Sequence, residues 1–214
     1  MTEIKKRIFT SFFLIIFLFL CFVSYIFLTF ALLLIAFLAL NEFNFIFSKI
    51  LIKNKFLNLV VIFLILCYIV YFTLSIWLFL MPNINENKYL FLFLIIICIS
   101  TDVGGYIFGK FFKGKKITKI SPNKTYAGMI GSFFLSILFS GIFFSDLNLK
   151  INIFLFTIII STISQLGDLF VSLLKRKAKI KDTGNLLPGH GGLLDRIDGI
   201  LFTIPIGIIL ISLQ

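Results

Sequence analysis

Residues 8–40, IFTSFFLIIFLFLCFVSYIFLTFALLLIAFLAL, form a run of 33 positions without a charged side chain. A transmembrane helix needs about 20 apolar residues, so the run suits either one tilted helix or two helices in a tight hairpin. The whole chain is 60% hydrophobic and its mean hydropathy is +1.12, whereas a soluble domain is about 45–50% apolar. The sequence therefore predicts an all-α, polytopic integral membrane protein.

Five further apolar runs follow along the chain. They cover residues 56–81, 89–109, 126–145, 151–174 and 194–213, and each is long enough to cross a bilayer as a helix. With two spans in the first run the total is seven, within a range of six to eight. We expect one integral-membrane domain over residues 1–214, with N-terminal helical spans in 1–100 and the polar motifs in 101–199.

The basic residues decide between one and two spans in the first run, because Lys and Arg favour cytoplasmic loops. With seven spans and a cytoplasmic N-terminus, each of the 20 basic residues except Lys88 and Lys150 falls on the cytoplasmic side. One span in the first run would place the last two basic loops outside. No small-residue cleavage site follows the run, so we expect an anchor helix and not a removed signal peptide.

Most of the functional interest lies in the nine acidic residues. We expect Glu3, Glu42 and Glu86 to be solvated at loops or helix ends, and Asp146 to lie in an outer loop. The other five fall near the cytoplasmic face: Asp102, Asp168, Asp182, Asp195 and Asp198. A charged side chain costs at least about 2.5–3.5 kcal/mol at the bilayer centre, so these five are candidates for function.

Asp168 belongs to a polar stripe. The stripe consists of Ser161, Gln165, Asp168 and Ser172. Their spacing of 4, 3 and 4 residues puts them on one helical face. Such a stripe either joins neighbouring helices or lines a site.

Asp195 and Asp198 are three residues apart at the start of the last span, so they point the same way on a helix. Either Arg196 forms a salt bridge with one of them, or the pair holds a hard cation. Mg²⁺ takes one or two carboxylates, with waters and phosphate oxygens completing its shell. Asp168 and Asp195 can come close, because their helices are consecutive, antiparallel and joined on the cytoplasmic side.

Three polar motifs carry the remaining signals. TDVGGYIFGK (101–110) contains Asp102 and two glycines, Gly105 and Gly109, suited to close helix packing. SPNKTYAG (121–128) opens the next helix, and a helix start with Ser, Thr and Lys suits phosphate. SLLKRKAKIKDTGNLLPGHGGLLDRIDG (172–199) contains the only histidine, His190, between glycines that permit a phosphate-facing turn. Carboxylates and bases at the cytoplasmic membrane border indicate phosphoryl-group chemistry on a lipid.

The third motif resembles the signature of the phosphatidate cytidylyltransferases (CDP-diacylglycerol synthases), with no departure over residues 172–198. The first two motifs resemble two further blocks of that family, in the same order. The second block reads closer to SPKKTWEG in the family, so Asn123, Tyr126 and Ala127 depart from it. The resemblance covers about residues 101–199, and the chain is short for the family by one or two helices.

The resemblance implies a nucleotidyltransferase of phospholipid biosynthesis, in the inner membrane of a bacterium. It would transfer CMP from CTP to phosphatidic acid and give CDP-diacylglycerol and pyrophosphate. It implies Mg²⁺ held by Asp168 and Asp195, with Asp198 as a further ligand or beside one, and a second, monovalent cation such as K⁺. It also implies a homodimer, and no nucleic acid partner is expected.

The same resemblance implies the residues of the active site. The catalytic set is Asp168, Asp195, Asp198, Arg196 and Lys175. The substrate and phosphate contacts are Ser121, Lys124, Thr125, Ser172, Arg176, Lys181, His190 and Asp102.

Three other functions fit part of this pattern. The segment DRIDG resembles the start of the CDP-alcohol phosphatidyltransferase motif, but ILFTIP follows it in place of Ala-Arg and two further spaced Asp, which excludes that family. A CTP-dependent lipid-alcohol kinase would need the same ligands and would release CDP. An ion-coupled transporter could use Asp102 and Asp168 as a relay, but it would bind no CTP.

Overall fold

The structure, a computed structural model, describes residues 12, 16–17, 19–81, 84–118, 121, 124–145, 147, 149, 151–184 and 191–213. These residues form helices and their connections. Among them there is no β-strand, and an isolated antiparallel bridge joins Lys116 to Thr125.

Six long helices lie in this part of the chain. They are α1 (Tyr25–Ile50), α2 (Lys55–Leu80), α3 (Ile84–Phe112), α4 (Tyr126–Phe143), α5 (Ile153–Lys177) and α6 (Leu194–Ser212). Five stretches are long and apolar enough to cross a membrane: Tyr25–Ile50, Lys55–Leu80, Asn87–Phe112, Tyr126–Phe143 and Ile153–Lys177. This confirms the prediction of an all-helical integral membrane protein, while the number of crossings stays a prediction. α6 is not among the five, and it carries three charged residues within its first five positions.

The long apolar run at the start is interrupted at Ser24. Residues 19–23 are helical and α1 begins at Tyr25, but Ser24 has an extended backbone with φ −131° and ψ 126°. The Ser24 amide still donates to the carbonyl of Leu20 at 3.0 Å. The run is therefore not one continuous helix, as a single tilted span would require. Most residues before 19 lie outside the described part of the chain, so the hairpin stays a prediction.

The chain divides into two compact units. The first contains Met1–Met81 and Leu174–Ile197, and the second contains Pro82–Leu173 and Asp198–Gln214. α1 and α2 belong to the first unit, and α3 and α4 belong to the second. α5 and α6 contribute residues to both units.

In the first unit, α1 packs against α2. α1 buries Ala39, Phe43 and Ile46, while large apolar side chains such as Phe30 and Leu33 are exposed. Exposed apolar side chains are expected where lipid is the solvent. α2 begins with an N-cap, because the Asn54 side chain accepts a hydrogen bond from the Leu57 amide at 3.0 Å.

In the second unit, α3 and α4 approach closely along their glycines. A Cβ atom on Gly104 would lie 2.5 Å from the Gly131 carbonyl oxygen, and one on Gly105 would lie 2.9 Å from the Ser132 hydroxyl. Small residues let membrane helices pack backbone to backbone, which confirms the expected packing role of Gly105. The Ser132 hydroxyl donates to the carbonyl of Thr101 at 2.7 Å and ties the two helices together.

α5 and α6 are equally close within this unit. A Cβ atom on Gly167 would lie 2.8 Å from the carbonyl oxygen of Asp198. A larger residue at position 167 would push the helices apart. This contact brings Asp168, the next residue of α5, near Asp198 of α6.

Candidate active site

The second unit contains a group of charged side chains that we call the Asp168 cluster: Asp102, Lys124, Asp168 and Asp198. The Lys124 ammonium lies 2.5 Å from Oδ2 of Asp168 and 3.5 Å from the carbonyl oxygen of Gln165. The two side chains of this ion pair are 24% and 29% exposed, so water and ligands can reach them. The cluster is therefore a partly open charged site.

Asp198 lies next to Asp168. The two carboxyl groups are close enough for a hydrogen bond, and Asp102 is near enough to act on Asp198 electrostatically. Oδ1 of Asp198 accepts a hydrogen bond from the Gly199 amide at 2.9 Å. Carboxylates in contact repel one another when ionised, so the cluster favours a positive charge between them.

The polar stripe on α5 makes different contacts at its two ends. At its buried end, the hydroxyl of Ser161 accepts a hydrogen bond from Thr101 of α3 at 2.9 Å, so it joins helices. At the other end, the Ser172 hydroxyl donates to Oδ1 of Asp168 at 3.3 Å. The stripe therefore joins helices at its buried end, and a site lined by its other end stays a prediction.

The loop before α4 positions Lys124. The Lys124 amide donates to the Ser121 carbonyl at 3.1 Å, and the Ile117 amide donates to the Lys124 carbonyl at 3.0 Å. Thr125 is the N-cap of α4, and its hydroxyl accepts from the Gly128 amide at 3.1 Å. The Thr125 hydroxyl, which the family resemblance implies as a phosphate contact, therefore caps α4.

The first unit contains a second group, the Asp195 cluster, made of Lys175, Thr183, Gly192 and Asp195. The Lys175 ammonium donates to Oδ1 of Asp195 at 2.6 Å. Oδ2 of Asp195 accepts from the Thr183 amide at 2.8 Å and from the Gly192 amide at 3.1 Å. The side chains of the ion pair are only 16% and 8% exposed. Ammonium and amide donors together hold this carboxylate in one orientation.

Glu42 joins this cluster, and the expectation that it is solvated was wrong. It lies within α1 and is only 4% exposed. Its Oε1 accepts from the Leu193 amide at 2.7 Å, and its Oε2 accepts from the Leu194 amide at 2.8 Å and the Thr183 hydroxyl at 2.5 Å. A buried carboxylate requires such donors. An acid within an apolar helix is a functional candidate by default, and that signal was available at position 42.

The paired glycines of the signature fit this arrangement. Gly191 has φ +83°, a conformation that L side chains rarely adopt. A Cβ atom on Gly192 would lie 2.6 Å from Oε2 of Glu42 and would overlap the Thr183 hydroxyl. The glycines therefore let the loop approach the carboxylates of Glu42 and Asp195.

Most of the other predicted phosphate contacts are exposed. Arg176, Lys181 and Arg196 have exposed side chains, and so does Asp102. His190 lies outside the described residues. Asp168 and Asp198 are brought together in one unit, whereas Asp195 is in the other. The direct pairing of Asp168 with Asp195 stays a prediction.

A metal site can be tested against these groups. In the described part of the chain, no three His, Cys, Asp or Glu side chains form a group that could hold a metal ion. Asp168 and Asp198 still offer adjacent carboxylates, which is the oxygen donor set that Mg²⁺ takes together with water and phosphate. The donor chemistry therefore fits Mg²⁺ completed by ligands from outside the protein.

Comparison with known proteins places these residues in a family. The model of the cytidylyltransferase family matches residues 3–214. Proteins named phosphatidate cytidylyltransferase are similar to the chain in three bacteria: Staphylococcus aureus strain COL (45% identity over 115 residues), Bacillus subtilis strain 168 (42% over 122) and Rickettsia felis (41% over 128).

These alignments cover 52%, 55% and 53% of this chain, and 44%, 45% and 55% of the respective relatives. The match thus spans about half the length of the curated relatives. The family model, by contrast, extends over nearly the whole chain, including the N-terminal helices that the signature motifs do not reach. This confirms the resemblance drawn from the motifs, and the chain belongs to the cytidylyltransferase family.

Proposed function

We propose that this protein is a CTP:phosphatidate cytidylyltransferase, which transfers CMP from CTP to phosphatidic acid and releases pyrophosphate. The observation that carries the proposal is the Asp168 cluster, in a chain of the cytidylyltransferase family. Adjacent carboxylates of Asp168 and Asp198, with the Lys124 ammonium beside them, suit a polyphosphate and its cation. The relatives named phosphatidate cytidylyltransferase support the choice of substrates.

The reaction exchanges one phosphoanhydride bond for another. A phosphate oxygen of phosphatidic acid attacks the α-phosphorus of CTP, a new P–O bond forms, and the bond to the β-phosphate oxygen breaks. Pyrophosphate leaves with that electron pair. Catalysis of this kind depends on positioning and charge neutralisation more than on covalent work by the protein.

The lysines of the two clusters supply positive charge. The Lys124 ammonium is paired with a partly exposed carboxylate, so it can turn toward a triphosphate when one is bound. Lys175 is held by Asp195 in a less exposed pair, and this favours a fixed position. Arg176, Lys181 and Arg196 have exposed side chains, and we assign them to phosphate contacts with His190 and Ser121.

Mg²⁺ held by Asp168 and Asp195, with Asp198 as a further ligand or beside one, would neutralise the charge that builds up on the triphosphate. We include a second, monovalent cation such as K⁺ and a homodimer in the proposal. The bacterial relatives support a location in the inner membrane, and the charge distribution supports a cytoplasmic N-terminus with the site at the cytoplasmic border.

The test of the reaction uses purified protein in lipid nanodiscs, phosphatidic acid and CTP labelled at either the α- or the γ-phosphate. Label from the α-position in the lipid fraction, with labelled pyrophosphate released from γ-labelled CTP, is the expected result. Label from the γ-position in the lipid indicates a CTP-dependent kinase. No transfer from either position contradicts an enzyme of this kind and leaves the transporter.

The orientation is tested by a reporter fused after Gln214 that is active only in the cytoplasm. With seven spans and a cytoplasmic N-terminus, the reporter should be silent. An active reporter would mean that the number of spans differs from seven by an odd number.

A further inference from the structure

Glu42 is a buried carboxylate in α1, outside residues 101–199, which carry the three polar motifs. The proposed chemistry does not use it. Its three hydrogen-bond donors are 141 to 152 residues away along the chain, in the segment that leads from Thr183 into α6. This concentration of donors on one carboxylate requires an explanation.

Part of the explanation is helix capping. The first amides of a helix have no acceptor within the helix, and the Leu194 amide is at the start of α6. Glu42 accepts from this amide and from that of Leu193. A negative charge is also favoured near a helix N-terminus. Glu42 of α1 therefore caps α6 from a different helix.

Thr183 connects Glu42 to Asp195. Its hydroxyl lies 2.5 Å from Oε2 of Glu42 and 3.1 Å from Oδ2 of Asp195, and its amide donates to Asp195 at 2.8 Å. A hydroxyl has one proton to donate, so the two carboxylates share a single O–H group. Thr183 is 1% exposed, which leaves water little access to replace it. A displacement of Glu42 would therefore move the residue that orients Asp195.

We propose that Glu42 is a positioning residue, which acts through Thr183 and the amides of Leu193 and Leu194 to fix Asp195 at the start of α6. The catalytic consequence rests on the proposed function, whereas the contact itself does not. Glu42 does not touch the substrate. Its substitution should lower turnover more than it changes the apparent affinity for CTP.

The first arm of the test measures amide hydrogen exchange by mass spectrometry, on the full chain in nanodiscs without CTP. In Glu42→Gln, the side-chain nitrogen that replaces one oxygen cannot accept a hydrogen bond. We expect the amide that then faces this nitrogen, Leu193 or Leu194, to exchange about tenfold faster or more, which is ~1.4 kcal/mol of lost protection. Asn41→Ala is the matched control, because Asn41 is the neighbouring residue of α1 and is exposed. It should leave this exchange unchanged.

The second arm measures transfer of label from CTP to phosphatidic acid. Glu42→Gln and Thr183→Val should each lower kcat about tenfold or more, with KM for CTP within about twofold. The double variant should be no slower than the slower single variant, because both changes break one pathway. Glu42→Asp keeps the carboxylate and should recover part of kcat. If the double variant loses kcat by the product of the two single losses, the proposal is overturned. It is also overturned if kcat falls only because less of the protein is folded.

Three further outcomes also decide whether Glu42 is a positioning residue. If Glu42→Gln does not fold, Thr183→Val takes its place, since valine keeps the shape and removes only the hydroxyl. Unchanged kcat in that variant overturns the proposal. Unchanged exchange at Leu193 and Leu194 in folded Glu42→Gln overturns it as well. If the wild type transfers no label, the proposed function fails, and the exchange arm still decides whether Glu42 holds this segment.

Discussion

The Asp168 cluster and the Asp195 cluster hold their carboxylates in different ways. Asp168 is paired with the side chain of Lys124, and both side chains are about one quarter exposed. Asp195 is held by an ammonium and two backbone amides, and its side chain is 8% exposed. Side-chain pairs can rearrange when a ligand arrives, whereas backbone donors can move only with the loop. The first cluster is suited to exchange partners, and the second is suited to keep one geometry.

We expect the largest effect on activity from removing the carboxylate of Asp168 or of Asp195. Asp168→Asn and Asp195→Asn should each lower cytidylyl transfer by more than about 100-fold, or ~2.7 kcal/mol of barrier, because each removes a charge that the proposed chemistry uses. The measurement is label transfer from CTP to lipid at equal amounts of folded protein. Asp146→Asn, in the predicted outer loop and outside the described residues, is the control and should be nearly silent.

The same pair of variants separates the clusters by stability. In Asp195→Asn, one side-chain oxygen becomes an NH₂ group, which cannot accept a hydrogen bond from the ammonium or the amides. We therefore expect the free energy of unfolding to fall by about 1–3 kcal/mol. Asp168→Asn should unfold close to the wild-type temperature.

If Asp168→Asn and Asp195→Asn both keep more than about a tenth of the wild-type cytidylyl transfer, the assignment of these carboxylates to Mg²⁺ is wrong.

The next effect concerns the two lysines. Lys175→Gln should destabilise the protein by about 1.5–3 kcal/mol, since it leaves a little-exposed carboxylate without its ammonium. Lys124→Gln should cost under about 1 kcal/mol, because that pair is partly solvated. Thermal unfolding in nanodiscs measures both. Equal destabilisation by the two variants would remove the distinction between an exchangeable and a fixed pair.

The smallest effect concerns exposed basic residues at the end of α5, just after it, and at the start of α6. Arg196→Lys should lower cytidylyl transfer about tenfold, because an ammonium does not reproduce the planar fork of Arg on a phosphate. The paired change Lys177→Gln/Lys179→Gln should alter it less than about twofold and weaken the dependence on anionic lipid. Greater loss in the paired variant would mean that these basic residues act as a diffuse cationic surface.

The helices were predictable because their apolar runs are long and uninterrupted. α4 begins at Tyr126 as expected, and α5 covers most of the expected residues 151–174. The helix ends were less predictable: α5 continues through Lys175, Arg176 and Lys177. Long basic side chains can extend their charges toward water while their stems stay on an apolar surface. A charge therefore does not end a membrane helix where hydropathy falls.

The candidate site was predictable only where its residues are close in sequence or share a helical face. The contact of Ser172 with Asp168 follows from their spacing of four residues. The contact of Glu42 with the segment before α6 does not, since it joins residues up to 152 positions apart. The role of Gly192 was hidden for the same reason, because the side chain that requires the glycine belongs to α1. Periodicity reports on one helix at a time and cannot show which distant segment supplies its partners.

The capping of α6 by Glu42 has a consequence for the order in which the chain is made. α1 leaves the ribosome long before Leu193 and Leu194 do, so Glu42 enters the membrane without the donors that it has in the finished protein. A chain released before residue 194 carries a carboxylate in an apolar helix with that cost still uncompensated. Such incomplete chains should be recognised and degraded by membrane quality control sooner than Glu42→Leu chains of the same length. Glu42, which orders the segment before α6 in the complete protein, would thus also mark incomplete chains for degradation.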